Sequence, residues 1–269
     1  MRRRLIFISL LLVGGYASVV ALFAVFQERL IFPGAFRSSS ASLPDRAGVT
    51  YGTVPLPGEQ GEVRIATAGS VDAPMFCVGF LGNNEHLGAG MAMAVEFARY
   101  GVRATFVEPP GYGESSGEPS VDSFHAAAVA VTRRVRQEAR GRPVLAFGAS
   151  LGTFPAVHCA ARGLVDRVFL ASPPASLIRV SNDRYPWLRA SWFLRHRFDS
   201  ESVAPLIAVP LLVIHGDRDR TVPFTHGQLL VDRWGGPARL LRAEDRGHND
   251  LDLRIDGPFG NQVAEFLAR

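Results

Sequence analysis

A chain of 269 residues with 47% hydrophobic and 20% charged residues has ordinary globular composition, which excludes intrinsic disorder and collagen-like structure. Two cysteines without a C-x-x-C pair exclude a disulfide framework and a thiolate zinc site. The net charge of +4 comes mostly from Arg2, Arg3 and Arg4, so the remainder lacks the basic surface of a nucleic-acid binder, and the absence of lysine excludes a lysine base, a Schiff base and a G-x-x-x-x-G-K phosphate loop.

Residues 5–26 carry no formal charge. As a helix they would span about 33 Å, enough to cross a bilayer core. The three preceding arginines put the N-terminus in the cytoplasm and the body on the opposite side. A cleaved signal peptide, leaving a secreted or periplasmic body, is the alternative. The length of the apolar run and the lack of an A-x-A site favour an uncleaved transmembrane anchor. Gln27 to Pro33 would lie at the interface. The expected organisation is an anchor with its interface segment over 1–33, a linker over 34–48 containing the run 38–42, and one domain over 49–269.

Within that domain, short apolar runs predict strands at 49–56, 62–68, 74–81, 102–107, 143–147, 167–171, 210–215 and 239–242. Helices are expected at 91–100, 124–139, 154–162, 224–234 and 258–267. Several strands are apolar without alternation, as in a parallel sheet covered on both faces. The alternation of strands and helices predicts a single α/β layer sandwich. Residues 173–205 break the alternation and read as a short, helical excursion. Its Trp187, Trp192 and Phe193 could pack the excursion onto the body or line an apolar pocket.

Three segments carry chemistry. The strand Val144-Leu145-Ala146-Phe147 runs into Gly148-Ala149-Ser150-Leu151-Gly152 and then into a helix. This is G-x-S-x-G in a strand-turn-helix context, which presents a serine on a strained turn. The Leu151 amide then faces any oxyanion formed there. A serine nucleophile needs a base oriented by a third group. Strand 210–215 ends in His215-Gly216-Asp217-Arg218-Asp219, which offers two acids, Asp217 and Asp219. Gly247-His248-Asn249-Asp250 follows the last strand and offers the histidine. The chain order serine, acid, histidine fits this geometry. His125 and His158 fall on predicted helices and read as structural. Cys77 and Cys159 read as buried thiols.

Together these segments resemble the α/β-hydrolase superfamily, and more narrowly its membrane-anchored abhydrolase-domain and serine aminopeptidase-like members. The resemblance covers nearly the whole chain. It includes the anchor with Phe26 to Pro33, the run from Pro110-Gly111-Tyr112-Gly113 to Ser120, and the serine turn. It extends through Tyr185-Pro186-Trp187-Leu188, Arg197-Phe198-Asp199-Ser200 and the His215 and His248 motifs. It implies a mostly parallel eight-stranded sheet with helices on both faces and a small lid at 173–205. It implies a triad of Ser150, Asp219 and His248, Asp219 being preferred to Asp217. A second oxyanion amide is expected from Asn83, where relatives show His-Gly-Asn and this chain has Leu81-Gly82-Asn83. Glu108-Pro109-Pro110 also departs from the pattern and reads as loop support. The implied activity is ester, thioester or amide hydrolysis through an acyl-enzyme, without metal or organic cofactor. The expected substrate is a small or lipid-like acyl compound near the membrane. A non-catalytic binding or scaffold protein on the same fold is the alternative.

Overall fold

A computed structural model describes residues 2–37, 43, 45–58 and 61–268. The expected linker run 38–42 lies outside the described residues. Eight strands form one sheet: β1 (Val49–Pro55), β2 (Glu62–Ala68), β3 (Met75–Phe80), β4 (Val102–Val107), β5 (Val144–Ala149), β6 (Arg167–Ala171), β7 (Leu211–Gly216) and β8 (Ala238–Ala243). Their order is β1-β2-β4-β3-β5-β6-β7-β8. Strand β2 runs antiparallel to β1 and to β4; every other neighbouring pair is parallel. Each expected strand forms, three with the expected ends and the others with an end moved by one or two residues.

Seven α-helices accompany the sheet among the described residues: α1 (Arg2–Ile31), α2 (Leu87–Arg99), α3 (Val121–Ala139), α4 (Thr153–Ala161), α5 (Leu177–Arg184), α6 (Phe224–Arg233) and α7 (Gly260–Ala268). One face of the sheet packs Val78, Ala146 and Val213 against Val131 of α3, Val157 of α4 and Leu230 of α6. The other packs Cys77, Phe147 and Ile214 against Phe97 of α2 and Val263 of α7. Both faces of β3, β5 and β7 are therefore buried, which is why those strands read as continuous apolar runs.

Two helices start three or more residues earlier than the sequence suggests. Helix α2 begins at Leu87 and takes in Gly88 and Gly90, which weaken a helical pattern. A side chain at Gly90 would come within 2.9 Å of Cβ of Phe106, so the glycine buys close approach of helix to sheet. Helix α3 begins at Val121, behind a reciprocal Ser120–Ser123 capping box.

The excursion is less helical than expected. Helix α5 is its one α-helix, followed by single 3-10 turns at Ala190–Trp192 and Ala204–Leu206. Pro186 disfavours the helical conformation for Tyr185, which ends α5.

Helix α1 is long and apolar enough to cross a membrane. Its 30 residues extend about 45 Å and run beyond the apolar stretch to Ile31. The extension follows from docking. Gln27 and Ile31 are buried. The Gln27 amide accepts from the Arg195 backbone (2.8 Å) and donates to the Phe193 carbonyl (3.4 Å). Phe32 then inserts fully between Phe124, His196 and Phe198.

Candidate active site

The turn that carries Ser150 is built from the end of β5. Ser150 has φ +49°, a left-handed conformation that a serine adopts only under local constraint. The flanking glycines explain the constraint. A Cβ at Gly148 would lie 2.5 Å from the Gly152 carbonyl, and one at Gly152 would lie 2.3 Å from the Phe80 carbonyl. Only hydrogen fits at either position, so the chain can turn tightly enough to lift Ser150 above the sheet edge. The Thr153 hydroxyl donates to the Ser150 carbonyl at 2.7 Å and fastens the turn.

His248 lies beyond the end of β8 and Asp219 beyond the end of β7, so both reach the same edge. Ser150 Oγ is 2.8 Å from His248 Nε2, and His248 Nδ1 is 2.6 Å from Asp219 Oδ2. Asp219 Oδ1 accepts from the amides of Thr221 and Val222, each at 2.8 Å. His215 Nε2 approaches Asp219 at 3.4 Å and makes its shorter contact, 2.9 Å, to the Val222 carbonyl. Burial opposes the Asp219 charge, but hydrogen bonds from His215 and His248, the His248 charge and the Val222 amide outweigh it. They hold the carboxyl well below the usual range. Asp217 points elsewhere and pairs with Arg242 at 2.9 Å.

Asn83 follows β3 and sits beside Ser150 at the border of two cavities. Its carbonyl accepts from the Tyr112 hydroxyl (2.8 Å) and the Gly34 amide (3.1 Å). Its own amide has no acceptor among the described residues. Leu81, where the family resemblance leads one to expect a histidine, is buried in the core. The Leu151 amide follows Ser150 directly. Buried Glu108 accepts from the amides of Leu87 and Glu114, each at 3.1 Å, and ties two loops together.

One cavity of about 370 Å³ opens from Ser150 toward the excursion. Its apolar wall comes from Leu177, Leu188 and Phe193 of the excursion and from Phe23, Leu30 and Ile31 of α1. Sequence reasoning missed the α1 contribution. Of the three expected pocket aromatics, the structure places Phe193 in the lining. Trp187 and Trp192 do not line it and are 50% and 69% exposed. Trp187 instead packs edge-on against Phe23, and its carbonyl accepts from the Tyr16 hydroxyl of α1 at 3.0 Å. His226 Nδ1 accepts from the Ala175 amide (3.0 Å), so its Nε2 carries the proton and donates to Asp183 of α5 (2.8 Å). That pair clips the excursion to the body. A second cavity, about 340 Å³, lies on the His248 side of Ser150.

No cluster of three or more histidine, cysteine or carboxylate side chains able to hold a metal occurs among the described residues. Cys77 and Cys159 are free and buried. They belong to opposite faces of the sheet, and burial pushes the Cys159 thiol up to about 12.

No protein-family model matches the chain. It is 34% identical over 161 residues to alpha/beta hydrolase domain-containing protein 17B of Xenopus laevis and 33% identical to human 17B. Those alignments cover 59% of this chain and 54% of each relative. The chain thus spans about half the length of the curated relatives it matches. Against protein 17C of Xenopus tropicalis it is 29% identical over 199 residues, 73% of this chain and 59% of the relative. Among solved structures, an esterase of Pyrococcus furiosus superposes with a TM-score of 0.68 at 16% identity, covering 87% of this chain and 98% of its own. A membrane phospholipase A, described as a bacterial virulence factor, superposes with a TM-score of 0.62 at 18% identity, covering 100% and 98%.

Proposed function

We propose that the chain is an α/β-hydrolase, as its similarity to alpha/beta hydrolase domain-containing proteins and its fold suggest, and that it is a serine hydrolase of acyl esters or thioesters, held at a membrane by α1. One observation carries this reading: Ser150, His248 and Asp219 form an unbroken hydrogen-bonded chain, at 2.8 and 2.6 Å, at the mouth of an apolar cavity.

In this mechanism Ser150 Oγ forms a bond to the substrate carbonyl carbon as its proton passes to His248 Nε2. The negative charge on the carbonyl oxygen is met by the amides of Leu151 and Asn83. When the tetrahedral species collapses, the bond to the leaving group breaks and His248 returns the proton to it. Water, deprotonated by His248, then attacks the acyl-enzyme, and Ser150 recovers its proton. Asp219 holds His248 in the tautomer with Nδ1 protonated and stabilises the imidazolium. Its lowered pKa suits this role, because it stays ionised throughout.

The acyl substrate class follows from the cavity wall, which is apolar and shared with α1. A solved relative of this fold that covers the whole chain is a membrane phospholipase A, which supports the same direction. Arg2, Arg3 and Arg4 orient α1 with its N-terminus cytoplasmic and the catalytic body opposite.

The test is fluorophosphonate labelling of washed membranes and soluble fractions, wild type beside Ser150→Ala. Membrane labelling that disappears in the variant is the expected result. A folded wild type that fails to label overturns the hydrolase reading in favour of a binding protein. Labelling confined to the soluble fraction overturns the membrane assignment alone. In turnover, Ser150→Ala is expected to lower kcat by roughly 10⁴–10⁶-fold.

A further inference from the structure

We propose that the second cavity is the leaving-group site and that it selects leaving groups bearing hydroxyl or ammonium groups while rejecting anionic ones. The inference rests on the serine hydrolase reading and deepens it.

Direction comes first. The leaving group must receive a proton from His248 as its bond to the acyl carbon breaks. His248 lines the second cavity and is absent from the lining of the first. Ser150 and Asn83 line both. The acyl chain therefore extends toward the excursion and α1, and the leaving group extends to the His248 side.

The chemistry of that side differs from the acyl side. The acyl cavity carries Arg184 and Arg220; the second cavity carries no arginine and has one carboxylate, Glu85. Glu85 is exposed, and its Oε2 accepts from the Gly82 amide. A Cβ built on Gly82 would stand 3.1 Å from that oxygen and 3.7 Å from Ser150 Cβ, so Glu85 and Ser150 both lie against Gly82. Oε1 accepts no hydrogen bond among the described residues, so it is left to accept one from a bound group.

Ser172 gives an independent sign of a ligand. It follows β6, lines the second cavity, is 2% exposed, and its hydroxyl has no partner among the described residues. Its φ of +46° is a left-handed conformation held by the Ser172 amide donating to the Ile214 carbonyl at 2.9 Å. A strained residue with an unsatisfied buried hydroxyl is costly unless a bound group or water completes it. Ser172 can exchange a hydrogen bond with a leaving-group hydroxyl, and Glu85 can accept one or face a cation. An anionic leaving group meets Glu85 as a like charge.

The test uses octanoyl esters of glycerol, choline, ethanol and glycolate in neutral detergent micelles. The acyl-enzyme is common to all four, so differences in kcat/KM report acylation with different leaving groups. The glycerol and choline esters are expected to exceed the glycolate ester by roughly tenfold or more. Glu85→Gln keeps an acceptor for Gly82 and should bring the choline-to-glycolate ratio toward one; Glu85→Arg should invert it. Ser172→Gly, which tolerates the positive φ, should reduce the glycerol-to-ethanol ratio. A wild-type choline-to-glycolate ratio within twofold, or one unmoved by both Glu85 variants, overturns the proposal. If the flat series accompanies hydrolysis of 4-nitrophenyl octanoate and fluorophosphonate labelling, this site falls alone. If neither occurs, the serine hydrolase reading falls and takes the site with it.

Discussion

The Gly34 amide donates to the Asn83 carbonyl at 3.1 Å, so the segment that follows α1 holds the loop beside the nucleophile. Tyr112 holds the same carbonyl from the other side at 2.8 Å. Asn83, whose amide lies in the preceding peptide, is thus held at its carbonyl by two donors from distant parts of the chain. A methyl group at Gly34 would meet the Tyr112 ring at 2.3 Å. Gly34→Ala is expected to displace the loop and lower kcat about tenfold with little change in KM, the pattern of an interaction made only in the transition state. Tyr112→Phe removes one hydrogen bond worth about 1 kcal/mol and should lower kcat by roughly fivefold. Both variants should weaken binding of a boronic acid that mimics the tetrahedral species more than binding of a substrate-like amide. Equal weakening of both ligands would make the effect structural.

Asp219 offers a second check. Asp219→Asn preserves the shape of the site but removes the acceptor that fixes the His248 tautomer, and kcat is expected to drop by about 10⁴. The same carboxyl contributes to acid stability. Its folded pKa lies below the 3.8 of an ordinary aspartate, so its contribution is complete above that value and is lost as pH falls through the lower folded value. Thermal melts from pH 5 downward should show a shallower acid limb for Asp219→Asn than for wild type.

Much of this was legible in the sequence, and the exceptions share a cause. The strands at β3, β5 and β7 could be read because burial on both faces leaves unbroken apolar runs. Ser150 and His248 stand out because each lies in a local signature and the chain order is restrictive, whereas those signatures leave Asp217 and Asp219 open and only the family resemblance prefers Asp219. The roles of Gln27, Phe32 and Gly34 could not. Gln27 meets Phe193 and Arg195 across more than 160 residues, and no local pattern records that pairing. The aromatic content of the excursion signalled burial of something but not which rings turn inward; Phe193 does, whereas Trp187 and Trp192 do not. Gly88 and Gly90 hid the first turn of α2 because their value is packing clearance, which propensity counts against a helix.

The stacked histidines His125 and His158 give the protein a pH dependence separate from catalysis. Their rings lie 3.8 Å apart with planes 9° from parallel, one on α3 and one on α4, and Phe198 packs edge-on against His125. Burial, then the charge of His158, then Arg162 lower the His125 pKa to about 4. His158 is lowered by burial and by Arg162. Between about pH 4 and 6.5 the unfolded chain therefore binds more protons than the native one. Stability should be fully present above pH 6.5 and fall as pH drops through that window, by up to about 1.4 kcal/mol per pH unit for each proton. His125→Phe keeps an aromatic ring in place and removes one titrating group. Urea midpoints at pH 7, 6, 5 and 4 should decline less steeply in that variant. His196 and His226, also lowered by burial, keep part of the slope. Superimposable declines would remove His125 as a source.

Helix α1 makes two separable contributions, one to stability and one to the acyl cavity. Phe32, just past its end, is fully buried among Phe124, His196 and Phe198, and Phe32→Ala should destabilise the protein by about 3–5 kcal/mol. Leu30 is 57% exposed yet lines the cavity, so Leu30→Ala should shift stability by under about 1 kcal/mol. The same change removes part of the wall that an acyl chain would touch. It should lower kcat/KM for long 4-nitrophenyl esters while sparing the acetate. Urea midpoints and a chain-length series read the two effects independently. An unchanged long-to-short preference in Leu30→Ala would detach α1 from substrate binding. The intact mass of protein recovered in the membrane fraction reads whether α1 is retained, because a chain cleaved beyond Ile31 lacks Phe23, Leu30 and Ile31 and with them the α1 part of that wall.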